Sequence, residues 1–328
     1  MTPAPGSACV TVRVPASSAN LGPGFDSIGL ALGLWDEYTV EVSETAGLCV
    51  DVAGEGAAEV PRDGSHLVLR ALAGGFTQLA CEVPSGVRLD AHNGIPHGRG
   101  LGSSASAIVA GVAAAHGLAA LLTRGNDVRV GSAVPLDLRL VTDLASELEG
   151  HPDNASASVY GGMTLSWTAD PGEEGVGRTR TAPIDVHDDV TAVVFVPAAQ
   201  LATHHARSVL PRSVPHADAA LNAARAALLI EAVTRRPDLL LHGTREWLHQ
   251  EARRASFAES MALVDALRAA GHAAVISGAG PSVLVLTTRD RAASVQVPAT
   301  AGAPGWRRLE PGIPPGGVEV TRAETAPI

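Results

Sequence analysis

The sequence contains no lysine, because all 24 basic residues among its 328 positions are arginine. A Walker A phosphate loop, the strand lysine of protein kinases and a Schiff-base mechanism each need a lysine amine. These three kinds of site are therefore excluded. Any phosphate-binding site in this chain must use backbone amides, hydroxyl groups or arginine instead.

Cysteine and positive charge are also scarce. The three cysteines (Cys9, Cys49 and Cys81) form no C-x-x-C pair, which predicts reduced thiols in a cytoplasmic protein. The net charge of −10 and the pI of about 5.6 argue against a nucleic acid or an anionic membrane as partner. The hydrophobic fraction of 46% predicts a folded chain rather than a disordered one.

No segment predicts export or membrane insertion. Residues 1–14 lack the charged start and the following apolar stretch of a signal peptide. The longest apolar run, residues 105–122, is interrupted by His116 and Gly117, which predicts a buried helix rather than a membrane span. We therefore expect no membrane partner and a cytoplasmic location.

The spacing of apolar residues predicts both strands and helices in each half of the chain. Strands are predicted at residues 10–14, 38–42, 48–52, 87–91, 190–196, 272–276 and 282–286. Helices are predicted at residues 66–79, 105–122, 140–148, 217–234, 239–250 and 260–270. We expect Pro15 to end the first strand and Gly47 to form the turn between the second and third. The mixture predicts an α+β fold with domains at 1–165 and 166–328, and polar residues 168–180 as a boundary or an exposed hairpin.

The segment P-H-G-R-G-L-G-S-S-A-S, residues 96–106, leads directly into a predicted helix. Its glycines allow close backbone approach to a ligand, and Ser103 and Ser104 are suitable N-cap residues. The helix N-terminus then offers free N–H groups and the positive end of a dipole to an anion. Without lysine, the phosphates would be held by amides, hydroxyl groups and Arg99. A glycine-rich turn before a core helix is the alternative, but G-L-G-S-S-A favours phosphate binding.

The segment E-L-E-G-H-P-D-N, residues 147–154, contains acidic side chains at a predicted helix C-terminus. Glu147 and Glu149 are poorly placed for the helix dipole there, so another interaction should hold them. A carboxylate and a serine hydroxyl suit Mg²⁺, which usually keeps water and phosphate oxygens as its other ligands. A solvated helix end followed by a turn is the alternative.

Two further loops are rich in glycine and serine. The segment S-S-A-N-L-G-P-G-F-D, residues 17–26, could present Asn20 and Asp26 as polar anchors, although a plain connecting loop is an equal alternative. The segment S-G-A-G-P-S, residues 277–282, is either a tight turn or a close neighbour of the phosphate loop. The motifs G-x-S-x-G and H-E-x-x-H and a strand-borne Rossmann motif are absent, and the His204-His205 pair is expected in a surface loop.

In this order, the four segments resemble the GHMP kinases (galacto-, homoserine, mevalonate and phosphomevalonate kinases), and within them the homoserine kinases. The segments A-R-S-V-L-P at 206–211 and P-H-A-D-A-A-L-N at 215–222 are similar too. The resemblance implies an N-terminal domain with a left-handed βαβ unit, an exception to the usual handedness. It also implies a ferredoxin-like C-terminal domain, an ATP cleft between the two domains, and a homodimer.

The resemblance implies an activity as well. It is the transfer of the γ-phosphoryl group of ATP, with Mg²⁺, to the hydroxyl group of homoserine, giving O-phosphohomoserine for threonine synthesis. A family kinase that acts on another hydroxy-amino acid, an isoprenoid alcohol or a sugar is an alternative, as is a catalytically silent ligand sensor. The missing lysine argues against a mevalonate kinase, and E-G-H-P-D-N argues against a sugar kinase.

The matching positions imply roles for individual residues. The residues expected to bind ATP are His66, Pro96, Gly98, Arg99, Gly100, Leu101, Gly102, Ser103, Ser104, Ala105 and Ser106. The residues expected to hold Mg²⁺ are Ser104 and Glu149, with Glu147 in reserve. The residues expected to bind the substrate are Asn20, Asp26, Asn154, Arg207 and Arg253, with the two arginines on its carboxylate and Asp26 on its amine. The residues expected to take part in catalysis are Asn154, Arg253 and Asp153.

The expected mechanism follows from a comparison of Asp153 and Ser17 with the matching residues of mevalonate-type relatives. Mevalonate-type relatives pair an aspartate with a lysine, and here those positions hold Asp153 and Ser17. We therefore expect catalysis by positioning and charge neutralisation rather than by a general base. Three positions depart from the family pattern. Glu251 and the next residue stand where the family usually has Pro-Tyr, and His205 stands where the residue is often acidic. His66 stands where the family usually has an asparagine near the adenine. The first two leave a different hydroxy-amino acid open as substrate.

Overall fold

The computed structural model describes residues 7–43, 47–124, 128–173, 175, 177–200, 207–298 and 305–325. Its strands are β1 (Ala8–Asn20), β2 (Gly24–Ser43), β3 (Gly47–Gly54), β4 (Gly86–Asn93), β5 (Met163–Thr168), β6 (Thr179–Ile184), β7 (Val190–Val196), β8 (Ala273–Ile276), β9 (Val283–Thr288), β10 (Arg307–Leu309) and β11 (Glu319–Arg322). Its helices are α1 (Leu67–Gln78), α2 (Ser103–Arg124), α3 (Leu138–Glu149), α4 (Pro152–Tyr160), α5 (His216–Thr234), α6 (Leu240–Gly243) and α7 (Ala258–Ala269).

The first sheet has seven strands in the order β11-β1-β2-β4-β3, and the β5–β6 hairpin branches from β2. The 20-residue strand β2 makes this branch possible, because its first half pairs with β5 and its second half with β4. Strands β3 and β4 are parallel and are connected by α1, which forms a βαβ unit. Buried side chains of these strands and of α1–α4 form one apolar core.

Helix α2 lies inside this core. Residues 103–123 are long and apolar enough to cross a membrane by length and composition, but 83% of an apolar 18-residue stretch within them is buried inside the protein. The helix packs against β1 and between α1 and α3. Its apolar surface is therefore covered by the protein itself, and these contacts fix where its N-terminus lies.

The second sheet has four antiparallel strands in the order β10-β7-β9-β8. Numbered along the chain, this is the order 4-1-3-2 of a ferredoxin-like sheet. Helices α5–α7 occupy the first crossover. In the second, the described residues form only a short 3₁₀ turn, Ala292–Ser294. The two-domain α+β fold implied by the resemblance is confirmed.

The strand pairing bears on where the domains divide. Strand β6 pairs with β5 and strand β11 pairs with β1, so both belong to the first sheet although they follow residue 165. A boundary between 1–165 and 166–328 would cut the β5–β6 hairpin, which is the exposed hairpin expected near residues 168–180. We therefore propose that the first domain comprises residues 7–184 together with 319–322.

Two predictions for the first half are wrong. Pro15 does not end β1, because it lies opposite Trp35 beside a register shift where a missing N–H is tolerated. Gly47 does not form the turn, because it is the first residue of β3 and pairs with Gly86 of β4, which lies between β2 and β3 in the sheet.

Helix α4 is missed by the sequence analysis, which predicts only a break at this point. The break is real, since Gly150 ends α3 in the left-handed region. Pro152 then begins a new helix, where its missing N–H costs nothing.

The helix predicted at residues 239–250 is also wrong, since only Leu240–Gly243 is α-helical. The carboxylate of Glu246 accepts hydrogen bonds from the backbone N–H groups of Leu248, His249 and Gln250, at 2.6–3.0 Å. A buried side chain therefore satisfies donors that a continuing helix would have paired internally.

Candidate active site

A cleft of about 400 Å³ lies between the two domains, within the size range of small-molecule sites. The predicted site residues that line it are Asn20, Asp26, His66, Pro96, Gly98, Arg99, Gly100, Leu101, Gly102, Ser103, Ser104, Glu149, Asp153, Asn154, Arg207 and Arg253. Segments that are far apart in the sequence thus meet around one space. Ala105 and Ser106 are buried in the first turn of α2.

The glycine-rich loop wraps one side of the cleft and leads into α2. Gly98, Gly100 and Gly102 all have φ between +63° and +72°. A Cβ atom on Gly100 would lie 2.2 Å from the carbonyl oxygen of Ser277, and one on Gly102 would lie 2.2 Å from the Ser17 hydroxyl. Only glycine meets both the conformational and the steric demand there. The loop brings its backbone and the N-terminus of α2 to the cleft, as an anion site requires.

Arg99 acts differently from the expectation that it holds phosphates. Its guanidinium donates three hydrogen bonds of 2.7–2.9 Å to the carbonyl oxygens of His97, Pro197 and Ala198. These bonds tie the loop to the end of β7. In this conformation Arg99 shapes the loop, and backbone amides and serine hydroxyls are left to meet an anion.

Asp36 is a buried carboxylate that the sequence analysis missed, and it holds both ends of the loop. Its Oδ1 accepts from the N–H groups of Gly94 and Ile95, at 2.9 and 3.0 Å. Its Oδ2 accepts from the hydroxyl groups of Tyr38 and Ser106, both at 3.0 Å. Burial raises the pKa of Asp36, while these four hydrogen bonds oppose that rise.

The predicted metal ligands Ser104 and Glu149 lie together. The Ser104 hydroxyl donates a 2.6 Å hydrogen bond to Oε1 of Glu149. Glu149 is largely buried, with 10% of its side chain exposed, and it lines the cleft. Glu147 is exposed and lines a separate groove beside α3. The geometry therefore favours Glu149 over the reserve residue.

His151 stands between the two acidic groups of this segment and was not predicted as a site residue. Its Nδ1 lies 2.9 Å from Oδ1 of Asp153, and its Nε2 lies 3.9 Å from Glu149. Burial lowers the pKa of His151, but the hydrogen bond and charge of Asp153 and the charge of Glu149 outweigh it and raise the pKa overall. Asp153 is 1% exposed and also accepts from the N–H of Asn154, at 2.8 Å.

Hydrogen bonds from serine hydroxyls and from the Asn20 amide connect the remaining loops beneath the cleft. Ser17 donates to Oδ1 of Asn154 at 3.1 Å, and Ser277 donates to the carbonyl oxygen of Gly100 at 2.6 Å. Asn20 donates from Nδ2 to the carbonyl oxygen of Gly278 at 3.1 Å. The loop at 277–282 is therefore in contact with the phosphate loop, which was one of its two expected roles.

A charged cluster occupies the other end of the cleft. Arg207 donates two hydrogen bonds to Asp26, of 2.6 and 3.1 Å. Asp26 has φ of +55°, and Oδ1 of Asn20 accepts from its backbone N–H at 3.0 Å, which fixes this unusual conformation. Arg253 is 2% exposed, and its guanidinium lies 5.6 Å from the ring centroid of Phe25.

His249 supports Arg253 from behind. Its Nε2 donates to the carbonyl oxygen of Gly22 at 2.8 Å, so its Nδ1 accepts from Arg253, at 3.3 Å. Burial lowers the pKa of His249, and burial and the nearby charge of Arg207 lower the pKa of Arg253. Glu251, the departure noted in the sequence, points away and pairs with Arg254 at 2.7 Å. The charge of the cleft is therefore not altered by that departure.

His66 lies at the remaining end of the cleft, as the N-cap of α1. Its Nδ1 accepts from the backbone N–H of Val68 at 3.3 Å. Burial and the charge of nearby His97 lower the pKa of His66, which favours the neutral ring. The His204-His205 pair lies outside the described residues.

Two family models match the chain. Residues 66–162 match the model described as GHMP kinases N terminal domain, and residues 219–302 match GHMP kinases C terminal. The homoserine kinase of Streptomyces coelicolor is 48% identical, with 99% of this chain and 98% of that protein covered. The homoserine kinase of Rhodococcus erythropolis is 49% identical, with 95% and 96% covered.

Solved structures agree on the fold. The crystal structure of homoserine kinase from Cytophaga hutchinsonii superposes with a TM-score of 0.77 at 24% identity, covering 95% of this chain and 97% of that chain. Mevalonate diphosphate decarboxylase from Staphylococcus aureus superposes with a TM-score of 0.60 at 17% identity, covering 96% and 98%. One backbone architecture thus serves proteins that act on different small molecules.

Proposed function

Because the chain belongs to the GHMP kinase family, we propose that it transfers the γ-phosphoryl group of ATP to the side-chain hydroxyl of L-homoserine. The products are O-phospho-L-homoserine, an intermediate for threonine synthesis, and ADP. Close relatives named homoserine kinase, similar to this chain over nearly its full length, support this substrate. The observation that carries the proposal is the charged cluster of Asp26, Arg207 and Arg253, which shares one cleft with the glycine-rich loop.

The proposed binding mode follows from the charges. Homoserine is a zwitterion, whose carboxylate suits the guanidinium groups of Arg207 and Arg253 and whose ammonium suits Asp26. We propose that Asn20 and Asn154 complete the contacts, since both line the cleft and both are fixed by hydrogen bonds. The triphosphate would lie on the loop and on the N-terminus of α2, and the nucleobase would lie towards His66.

Ser104 and Glu149 fit a magnesium ion. They offer a hydroxyl and a carboxylate oxygen in the cleft, which are ligands that Mg²⁺ prefers. Among the described residues, no group of three His, Cys, Asp or Glu side chains could hold a metal ion alone, so phosphate oxygens would complete the coordination. When bound, Mg²⁺ would neutralise part of the negative charge on the phosphates.

The protein's own groups would supply the rest of the catalysis. The hydroxyl oxygen of the substrate forms a bond to the γ-phosphorus, the bond to the leaving ADP oxygen breaks, and the hydroxyl proton would pass to solvent water. We propose that the loop amides and the α2 N-terminus stabilise the transferring group, while Asn154 and Arg253 orient the substrate. Asp153 is already bonded to His151 and to the Asn154 N–H, which supports a positioning role rather than proton abstraction.

An ADP-release assay over homoserine, serine, threonine, mevalonate and galactose tests this proposal. We expect kcat/KM to be highest for homoserine, with phosphate transferred to its hydroxyl group. Higher kcat/KM for another alcohol would identify a different family kinase. No turnover of any of the five would favour a ligand-sensing member. The homodimer, the cytoplasmic location and the absence of nucleic-acid and membrane partners stay predictions.

A further inference from the structure

Glu246 is a buried carboxylate that does not line the cleft and has no role in the proposed function. Its side chain is only 3% exposed. Oε2 accepts from the backbone N–H groups of Leu248 and His249, at 2.6 and 2.8 Å, and Oε1 accepts from that of Gln250, at 3.0 Å. Three consecutive backbone donors thus converge on one carboxylate, which fixes the turn of residues 246–250. Without that carboxylate, the three donors would lose their partner.

The turn is anchored in both domains. Gln250 donates from Nε2 to Oε1 of Glu246, at 3.3 Å, and its own Oε1 accepts from the N–H of Ile276 at the end of β8, at 2.6 Å. His249 donates from Nε2 to the carbonyl oxygen of Gly22, between β1 and β2, at 2.8 Å. Strands β1 and β8 belong to different sheets, so the turn connects the two domains beside the charged cluster of the cleft.

The same turn places Arg253. The backbone N–H of Arg253 donates to the carbonyl oxygens of His249 and Gln250, at 3.2 and 3.1 Å, and its Nη1 donates to Nδ1 of His249, at 3.3 Å. Both the backbone and the guanidinium of Arg253 therefore contact residues whose N–H groups are held by Glu246. Burial lowers the pKa of Arg253, and the charge of Glu246 opposes that shift. The carboxylate thus supports both the position and the charge of this arginine.

We propose that Glu246 is a positioning residue, which holds the turn so that the Arg253 guanidinium faces the substrate. This inference rests on the proposed function, which assigns Arg253 to the substrate. Glu246 lies outside the cleft, so its effect on turnover has to pass through the residues that it holds. Among the described residues, its hydrogen bonds lie within the turn, and none reaches the glycine-rich loop or His66. Loss of the carboxylate should therefore affect homoserine far more than ATP.

A double-mutant cycle of Glu246→Ala and Arg253→Ala tests this role. Glu246→Ala alone should lower kcat/KM for homoserine about 10- to 10²-fold, since a small misplacement of a positioning group can cost that much, and leave the KM for ATP unchanged. In the Arg253→Ala background the same change should lower kcat/KM by less than about twofold, because the group that Glu246 positions is already gone. Glu246→Asp keeps the charge and both oxygens, so it should cause a smaller loss than Glu246→Ala. Equal losses in the two backgrounds would overturn the proposal.

Arg308→Ala is the matched control. Arg308 also fixes a turn of the second domain with its side chain, because it donates to the carbonyl oxygens of Ala292 and Val295, both at 2.8 Å, and it does not line the cleft. The control variant should therefore lose stability but keep the wild-type kcat/KM. A loss of kcat/KM equal to that of Glu246→Ala would mean that the loss reflects general destabilisation, against the proposal.

Hydrogen exchange gives a second readout that needs no substrate. In Glu246→Ala the amides of residues 248–253 should exchange faster, while those of residues 94–106 keep their wild-type rates. Unchanged exchange at residues 248–253, or faster exchange throughout the chain, would show that Glu246 does not hold this turn specifically. Turnover of homoserine by the wild type tests the proposed function separately, so the two failures are distinguishable.

Discussion

The Ser104 hydroxyl donates a 2.6 Å hydrogen bond to the Glu149 carboxylate in the wall of the cleft, although 45 positions separate the two residues in the chain. Ser104 lies in the first turn of α2, and Glu149 is the last residue of α3. The packing of these two helices therefore creates the pair. A negative charge at the end of α3 is unfavourable for that helix, and the hydrogen bond from Ser104 offsets part of this cost.

Glu149→Gln should lower kcat about 10²- to 10³-fold and raise the Mg²⁺ concentration needed for half-maximal activity, because a charged oxygen ligand is lost. Initial rates over a magnesium titration measure both effects. Glu147→Gln is the matched control, since it makes the same change two residues away on an exposed position. If the two variants respond alike, Glu149 does not hold the ion.

Asp36→Asn should raise the KM for ATP about tenfold and leave the KM for homoserine unchanged. The amide keeps one neutral acceptor oxygen, so one end of the loop loses its acceptor and the hydrogen bonds at the other end are no longer charge-assisted. We expect the free energy of unfolding to fall by about 1–3 kcal/mol as well. Steady-state kinetics with each substrate varied in turn separates the two KM values.

The control for Asp36 is Ser166→Ala. It removes buried hydrogen bonds to Ser156 and Thr181 outside the cleft, at 2.8 and 3.1 Å. It should lower stability and leave both KM values unchanged. An equal rise of both KM values in Asp36→Asn would mean that the carboxylate supports the fold generally and has no specific role in the loop.

Asp153→Asn should reduce kcat by less than about 10²-fold, because the carboxylate is bonded to His151 and to the Asn154 N–H and is proposed to position these residues. Single-turnover measurements with saturating homoserine report the chemical step directly. A loss of about 10³-fold or more, with binding intact, would instead indicate a general base.

Stability should fall as the pH drops below about 6.5, the ordinary pKa of histidine. Burial lowers the folded-state pKa of His249, so the unfolded chain binds more protons in this range and acid favours unfolding. The penalty grows by at most about 1.4 kcal/mol per pH unit until the folded ring also protonates. Urea unfolding between pH 5 and 7.5 measures it.

His249→Gln should reduce this pH dependence but not abolish it, since burial also lowers the pKa values of His66, His116 and His272, whereas the raised pKa of His151 acts in the opposite direction. An unchanged slope in the variant would show that His249 does not contribute. Above pH 7 the variant should still show a higher KM for homoserine, because Arg253 loses the ring nitrogen that accepts from it.

The sequence predicts the individual loops of the site well because each is defined by local chemistry. Gly100 and Gly102 mark a backbone that only glycine can adopt, and the helix that follows is plain from its apolar run. The helix periodicity also locates α1 and α3 to within a few residues. These features depend on neighbours in the chain, which a single sequence records directly.

What the sequence cannot show is which distant groups meet. Asp36 looks like any strand residue, and only the fold brings it beneath both ends of the phosphate loop. His151 and His249 are likewise ordinary histidines until their partners are known. The predicted helix at 239–250 fails for the same reason, because the buried Glu246 carboxylate takes over backbone donors. In each case the role or the local conformation depends on contacts with residues that are distant in the sequence.

Because β1 pairs with β11, one edge of β1 stays uncovered during most of the synthesis of the sequence. Residues 10–13, which begin the strand that leads into the site, find their outer neighbour only in residues 319–322. A ribosome makes about 300 further residues before that edge of the sheet can be covered. Until then the hydrogen-bonding groups on this edge of β1 are open to other strands, so a nascent chain can associate wrongly there.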